Sequence, residues 1–318
     1  MTKPDKKILQ YIPGGLLYMP AFQKNIVGKI KSNSIDCLTS IAFCLEDSVR
    51  DEVLDEAENT LIKILRELQP IKNLPLIFVR VRSPEHLQTV RKKLSGLTEI
   101  LTGYIFPKFD LSNAKNYSDV LGEINRGREK ILYAMPILET EPVADIFSRR
   151  ENLVRIKKVL DEIENYILNV RVGVNDLSNF YGLRRDVNHT VYDVGVIRDI
   201  LIDIINVFAK DYIVAGPVWN YFDDGKNISW REGLKKESEE DRLNGFIGKS
   251  AIHPSQLPYI FESLKVSKAD LDDANQILNW DSSSHGVAKV GGRMNELKCH
   301  LKWAERIKIL SEIYGCRD

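Results

Sequence analysis

The sequence predicts an α/β protein, a (β/α)8 TIM barrel with a C-terminal helical extension. Three observations carry this. Eight short apolar runs recur along the 318 residues. Most are followed by a charged, helix-period segment, and the runs are near-continuous in hydrophobicity, as strands covered on both faces should be. No linker-like stretch divides the repeat, which takes about 250 residues in such barrels.

In order the runs are LLYMP (16–20), IAFCLED (41–47), LIFVRV (76–81), GYIFPK (103–108), LYAMPILE (132–139), LNVRVG (168–173), YIVAGPV (212–218) and FIGKSAIH (246–253). Parallel neighbours need crossovers, and the helical segments supply them. Between Glu141 and Asn165, Leu153, Ile156, Leu160 and Ile163 recur at spacings of three and four, giving one apolar face. VGVIRDILIDIINVF (194–208) is apolar enough to predict burial on more than one side. Eight such units fit one barrel better than a doubly wound sheet.

The β/α pattern stops near Lys265, so residues 1–265 are read as the catalytic barrel and 266–318 as a helical arm. SKADLDDANQILNWD and ELKCHLKWAERIKILSEIY read as helices, joined by a loop containing Gly286, Gly291 and Gly292. The arm folds on its own barrel or reaches a neighbouring subunit.

Lys plus Arg and Asp plus Glu both total 45, which removes a bulk electrostatic argument for nucleic acid or an anionic membrane. The opening MTKPDKKILQYIPGG lacks the apolar core of a secretory signal, and no run approaches about 20 apolar residues, so a cytoplasmic location is expected. Cys37, Cys44, Cys299 and Cys316 show no zinc-type spacing and are read as reduced thiols.

In a barrel the carboxyl ends of all strands open on one face, so polar residues there converge. They are Glu46 and Asp47, Arg80 and Arg82, Lys108, Glu139, Asp176, and the pair Gly216 and Pro217. Clustered carboxylates resist ionising together unless a cation compensates them. Mg²⁺ suits two acids on a rigid scaffold, because it favours oxygen ligands and keeps part of its water shell. Glu139 and Asp176, on successive strands, are the expected ligands, with Glu46 and Asp47 behind them holding metal-bound waters or serving as a base. Each acid also has a plainer reading: Glu139 could cap TEPVADI and Asp176 could cap DLSNF. Lys108 could point into water. Arg80, inside an apolar run, needs an anion. Arg184 and Arg185 are read as solvent-facing, and His253 as structural, where the last strand enters its helix.

The succession CLEDSV (44–49), VRV (79–81), FPK (106–108), PILET (136–140), GVNDL (173–177), AGP (215–217) and GKSAIHPSQL (248–257) resembles the citrate lyase beta-subunit-like branch of the HpcH/HpaI aldolase superfamily. VAGPVWNYFDD is also similar to a subgroup of carbon–carbon bond lyase homologues from bacterial stress-resistance clusters. The resemblance implies a Mg²⁺-dependent TIM-barrel lyase acting on a carbon–carbon bond next to a carboxylate or a coenzyme A thioester. It implies Glu139 and Asp176 as metal ligands, and Arg80 as a substrate-binding arginine beside Lys108, Gly216 and Pro217. It further implies a homo-oligomer, trimer or hexamer, in which Glu296 of the arm reaches a neighbouring site. Asp47 and Glu296 are the two candidates for the base.

Departures matter. Gly14 stands where an arginine is expected, Cys44 replaces the first acid of DLED, Arg82 replaces an asparagine, and RDEVLDEAENT (50–60) lacks a lysine–arginine pair. These leave open a thioester hydrolase on the same metal site, or a non-catalytic or regulatory paralogue that binds a small acid.

Overall fold

A computed structural model describes residues 5–23, 25–223, 225, 228–280, 287–290 and 293–318; Gly286, Gly291 and Gly292 lie outside the described residues. Eight strands form one parallel sheet: β1 (Gly15–Pro20), β2 (Ser40–Cys44), β3 (Leu76–Arg80), β4 (Gly103–Phe106), β5 (Tyr133–Leu138), β6 (Val170–Val172), β7 (Val214–Ala215) and β8 (Lys249–Ala251). Their order is β7-β6-β5-β4-β3-β2-β1-β8. The two ends of that order meet where the Gly216 amide donates to the Gly248 carbonyl (2.8 Å) and the Ile247 amide donates to the Val214 carbonyl (2.9 Å). These bonds complete the cylinder, the TIM barrel the strand count predicts.

Strand alternation sorts the core into two sets. Leu16, Ala42, Phe78, Ile105, Met135, Ile137 and Leu168 fill the barrel interior. The opposite faces of the strands, with Ile41, Phe43, Ile77, Val79 and Tyr104 among them, pack against the surrounding helices. Those helices form where the pattern allows. Leu54–Leu68 buries Ala57, Leu61, Ile64, Leu65 and Leu68 along one stripe. Pro84–Lys93 starts at Ser83, whose hydroxyl accepts from the His86 amide (3.2 Å), with Pro84 in the first turn.

The helix Gly195–Phe208 buries Ile197, Ile200, Leu201, Ile204 and Phe208. Its outer side leaves Val196 and Ile202 exposed, so this helix is covered on one side, not the several its composition predicts. Among the described residues no helix is long and apolar enough to cross a membrane. All four cysteines are free.

After the barrel, helix Lys268–Leu278 is capped by Ser267, whose hydroxyl accepts from the Asp270 amide (3.0 Å). An antiparallel pair, Val287–Val290 with Arg293–Glu296, leads into helix Leu297–Tyr314. That last helix buries Ala304, Ile307, Leu310 and Tyr314 and packs on Lys268–Leu278 and Leu257–Leu264 of its own chain. The Tyr314 hydroxyl donates to the Tyr11 carbonyl (2.7 Å) and accepts from the Gly14 amide (3.1 Å). A Cβ at Gly14 would stand 2.2 Å from that hydroxyl, so the position where an arginine is expected is filled by the chain's own C-terminal helix.

Candidate active site

One cavity of about 350 Å³ opens at the carboxyl ends of the strands, lined among others by Tyr18, Asp47, Arg80, Glu139, Arg171, Asp176 and Ser250. Alternation explains its polar wall. Phe78 points inward and so does Arg80 two residues on; Ile137 points inward and so does Glu139.

Glu139 is buried at 3% exposure. Its Oε1 accepts from the Lys108 amide (2.9 Å) and lies 3.5 Å from Arg80 Nη2. Gly173 makes the room: a Cβ there would sit 1.8 Å from Glu139 Oε2. Thr140, not Glu139, stands at the N-cap of the short helix Glu141–Ala144, so the capping reading of Glu139 is overturned. Asp176, half-buried in the first turn of helix Val174–Phe180, lines the same cavity. No side chain caps that helix.

Arg80 is held by three acids through Nη2: Glu46 at 2.7 Å, Asp47 at 3.0 Å and Glu139 at 3.5 Å. Burial works against its charge, and Glu139 and Glu46 more than offset that, leaving its pKa above the ordinary arginine value. Lys108, in a left-handed backbone conformation (φ 48°), brings Nζ to Glu46 (2.6 Å) and Asp47 (3.1 Å). Its ammonium is turned onto the acidic cluster, while the side chain stays half-exposed.

Burial pushes the Glu46 carboxyl above its ordinary pKa. Asp47 goes the other way: against desolvation, its hydrogen bond with Glu46 and the charges of Arg80 and Lys108 hold it below. Burial, with the negative charge of Asp176 and Glu46, pushes Glu139 up to about 7 although Arg80 opposes the rise. Arg82 fastens the loop that carries Glu46 and Asp47. Its Nε donates to the Leu45 carbonyl (2.7 Å), its Nη2 to the Val49 carbonyl (2.5 Å), and its Nη1 pairs with Asp51.

Other sequence-predicted residues fall elsewhere. Gly216 serves barrel closure, and Val218 rather than Pro217 lines the cavity. Glu296, half-buried, precedes helix Leu297–Tyr314 and is not among the cavity residues of its own chain; its amide donates to His300 Nδ1 (3.1 Å). Arg184 is exposed, but Arg185 is buried, because Nη2 pairs with Glu237 (3.1 Å) and donates to the Val218 carbonyl (2.7 Å). Lys249 completes that interior network with Glu237 (2.9 Å) and Asp241 (2.5 Å). His253 caps the turn Pro254–Gln256, its ring accepting from the Ser255 amide.

Sequence reasoning missed Arg171. It lies on β6, is 1% exposed, and turns into the barrel. Its Nη2 donates to Ser250 Oγ (2.9 Å), while Nε and Nη1 have no hydrogen-bond partner among the described residues. Burial pulls its pKa down, opposed by Tyr18, whose ring centroid is 6.0 Å from Cζ. The signal was available: an arginine between valines in LNVRVG is the anomaly that singles out Arg80 in LIFVRV.

Among the described residues no group of three or more His, Cys, Asp or Glu is arranged to hold a metal. A full protein cage of the zinc type does not fit this mouth. A partly hydrated Mg²⁺ on two carboxylates fits, since Glu46, Asp47, Glu139 and Asp176 bring four acids against the three cations Arg80, Lys108 and Arg171 there.

A closed parallel barrel with its polar cluster at the carboxyl ends of the strands defines the class, a TIM-barrel enzyme. The chain belongs to the C-C bond lyase family of the TIM-barrel fold, whose model matches residues 7–316. A (3S)-malyl-CoA thioesterase of Cereibacter sphaeroides is 30% identical over 129 residues, covering 39% of this chain and 42% of the relative. The chain thus matches less than half the length of that relative. Two solved structures share the fold. A citrate lyase from Burkholderia xenovorans LB400 has a TM-score of 0.71 at 14% identity, over 96% of this chain and 93% of that one. The CitE protein of Mycobacterium tuberculosis, in complex with magnesium, acetoacetate and coenzyme A, has a TM-score of 0.61 at 18% identity, over 96% and 100%.

Proposed function

We propose that this lyase is Mg²⁺-dependent and breaks or forms a carbon–carbon bond next to a carboxylate or an acyl thioester. The observation that carries the reading is the meeting of Glu139 and Asp176, with Arg80 beside them, in one cavity at the barrel mouth. Mg²⁺, held there by Glu139 and Asp176, would supply Lewis-acid polarisation of a 2-oxo or 2-hydroxy carboxylate.

The chain's own residues do the rest. The Lys108 amide orients Glu139, and Gly173 leaves the space that its carboxylate fills. Arg80, largely buried beside Glu139, would add positive charge next to the position where an enolate oxygen develops. Asp47 is half-exposed, lines the cavity and is held ionised by Arg80 on one oxygen and Lys108 on the other, and it would receive the hydroxyl or α-carbon proton on the lone pairs those contacts leave open. Glu296 enters as the alternative base from a second copy of the chain in a homo-oligomer.

The test is product analysis with 2-oxo acids and acyl thioesters, with and without chelator, for the wild type and Glu139→Ala. The variant is expected to lose at least about 100-fold in turnover. Full turnover in chelator would overturn the reading. A second reading, thioester hydrolysis on the same site, is favoured by the partial match to the malyl-CoA thioesterase. Free coenzyme A released with an intact diacid, and no carbon–carbon fragments, would select it.

A further inference from the structure

The two arginines of the cavity are in opposite states. Arg80 meets three carboxylates. Arg171 meets none among the described residues: it forms no ion pair there, its partners are the neutral hydroxyls of Ser250 and Tyr18, and it keeps Nε and Nη1 unpaired at 1% exposure. An unpaired buried guanidinium is costly to keep unless an anion arrives. Either free N–H, together with the second N–H of Nη2, makes the planar fork that matches a carboxylate.

Position adds to this. Arg171 pairs in register with Ile137, two residues before Glu139, so it lies below the acids on the barrel floor, facing the same cavity. The Tyr18 ring lies between the two levels, 5.9 Å from Cζ of Arg80 and 6.0 Å from Cζ of Arg171. Ser250, on β8, offers a hydroxyl at the same floor.

The geometry points to Arg171 and Ser250 as the site for a second carboxylate of the substrate. The ligand is then a small dicarboxylate, or a thioester that retains a free carboxylate, with its reacting end at Glu139 and Asp176. The reacting end rests on the function proposed above; the carboxylate site rests on Arg171 alone. Arg80, tied to three acids, serves the reacting end at the mouth, and selection between monoacids and diacids falls to β6.

Oxaloacetate and pyruvate share a 2-oxo acid end and differ in the second carboxylate, so calorimetry with both, in Mg²⁺, isolates the floor. Wild-type protein should prefer oxaloacetate, and Arg171→Met should weaken it by about 10- to 100-fold while leaving pyruvate unchanged. Arg171→Lys, which keeps the charge without the fork, should recover part of the loss. Malonyl-CoA against acetyl-CoA repeats the comparison for thioesters and separates the two sources of carboxylate. Ligand-free Arg171→Met should melt no lower than wild type, because it removes an unpaired buried charge, whereas a purely structural arginine would leave it less stable.

Should that variant not fold, Ser250→Ala is read in its place and should weaken oxaloacetate alone. Equal affinity of the wild type for the two acids, or an undiminished preference in Arg171→Met, overturns the inference. Failure of the metal reading looks different: both acids would bind independently of Mg²⁺, with the preference for the diacid still lost in Arg171→Met.

Discussion

Gly173→Ala tests the mouth of the barrel without altering a charge. The added Cβ would lie 1.8 Å from Glu139 Oε2, 2.7 Å from Cδ and 2.5 Å from Cβ. Because the Glu139 Cβ is fixed by the strand backbone, a new rotamer does not relieve every contact, and the carboxylate must retreat by more than about 1 Å, a misplacement that costs about 100-fold in rate. The retreat also breaks the bond from the Lys108 amide, which helps hold that residue in its left-handed backbone conformation. Overpacking of this kind costs about 1–3 kcal/mol of stability. Mg²⁺ calorimetry and thermal melting, run side by side, read both effects. Expected are a modest fall in melting temperature and a loss of about 10- to 100-fold in metal affinity, the scale of losing a well-placed ligand contact. Metal affinity at the wild-type value in a folded Gly173→Ala protein would refute the argument that the placement of Glu139 holds the ion.

The pH dependence follows from Glu139. Its carboxyl is pushed up to about 7 from 4.5, so the stability contributed by its proton is complete below about pH 4.5 and is lost as pH rises through about 7. Asp241, pushed up to about 6 chiefly by burial, adds to the same trend in the metal-free protein. Mg²⁺ needs the ionised carboxylate, so its stabilising shift in melting temperature should grow from about pH 5 to about pH 8 and flatten in Glu139→Gln; a larger shift at the acidic end would contradict this. Lys249→Met leaves Glu237 and Asp241 short of a buried cation and should cost about 3–5 kcal/mol in urea unfolding, less in acid where Asp241 takes a proton. A variant as stable as wild type at neutral pH would remove the network from the list of stabilising features. Arg82→Ala frees two carbonyls of the loop after β2 and should cost about 1–3 kcal/mol while lowering turnover through misplaced Glu46 and Asp47; unchanged steady-state kinetics would show the loop holds its shape alone.

All eight strands were legible because burial on both faces leaves an unbroken apolar run. Their ends were not. IAFCLED continues three residues beyond Cys44, where β2 stops, because the chain turns to present Glu46 and Asp47 and no hydrophobic signal marks that turn. YIVAGPV contains a strand of two residues, since Gly216 and the residues before β8 complete the barrel with isolated bonds. Period-two alternation along MPILE, with Ile137 inward, places Glu139 inward and argues against a cap; position at a strand end alone did not. Arg185 looked solvent-facing because its partner Glu237 lies 52 residues away on another helix, a pairing that only tertiary structure supplies. Arg171 needed no such help. The exposure of Val196 and Ile202 shows the limit of composition, which counts apolar residues but does not say which side is covered.

The bond between Tyr314 and the backbone at Tyr11, Ile12 and Gly14 joins positions some 300 residues apart. On the ribosome, the first strand therefore emerges long before the side chain that seals its approach. Loss of that side chain would uncover the backbone leading into the first strand, at the opposite end of the cylinder from the cavity.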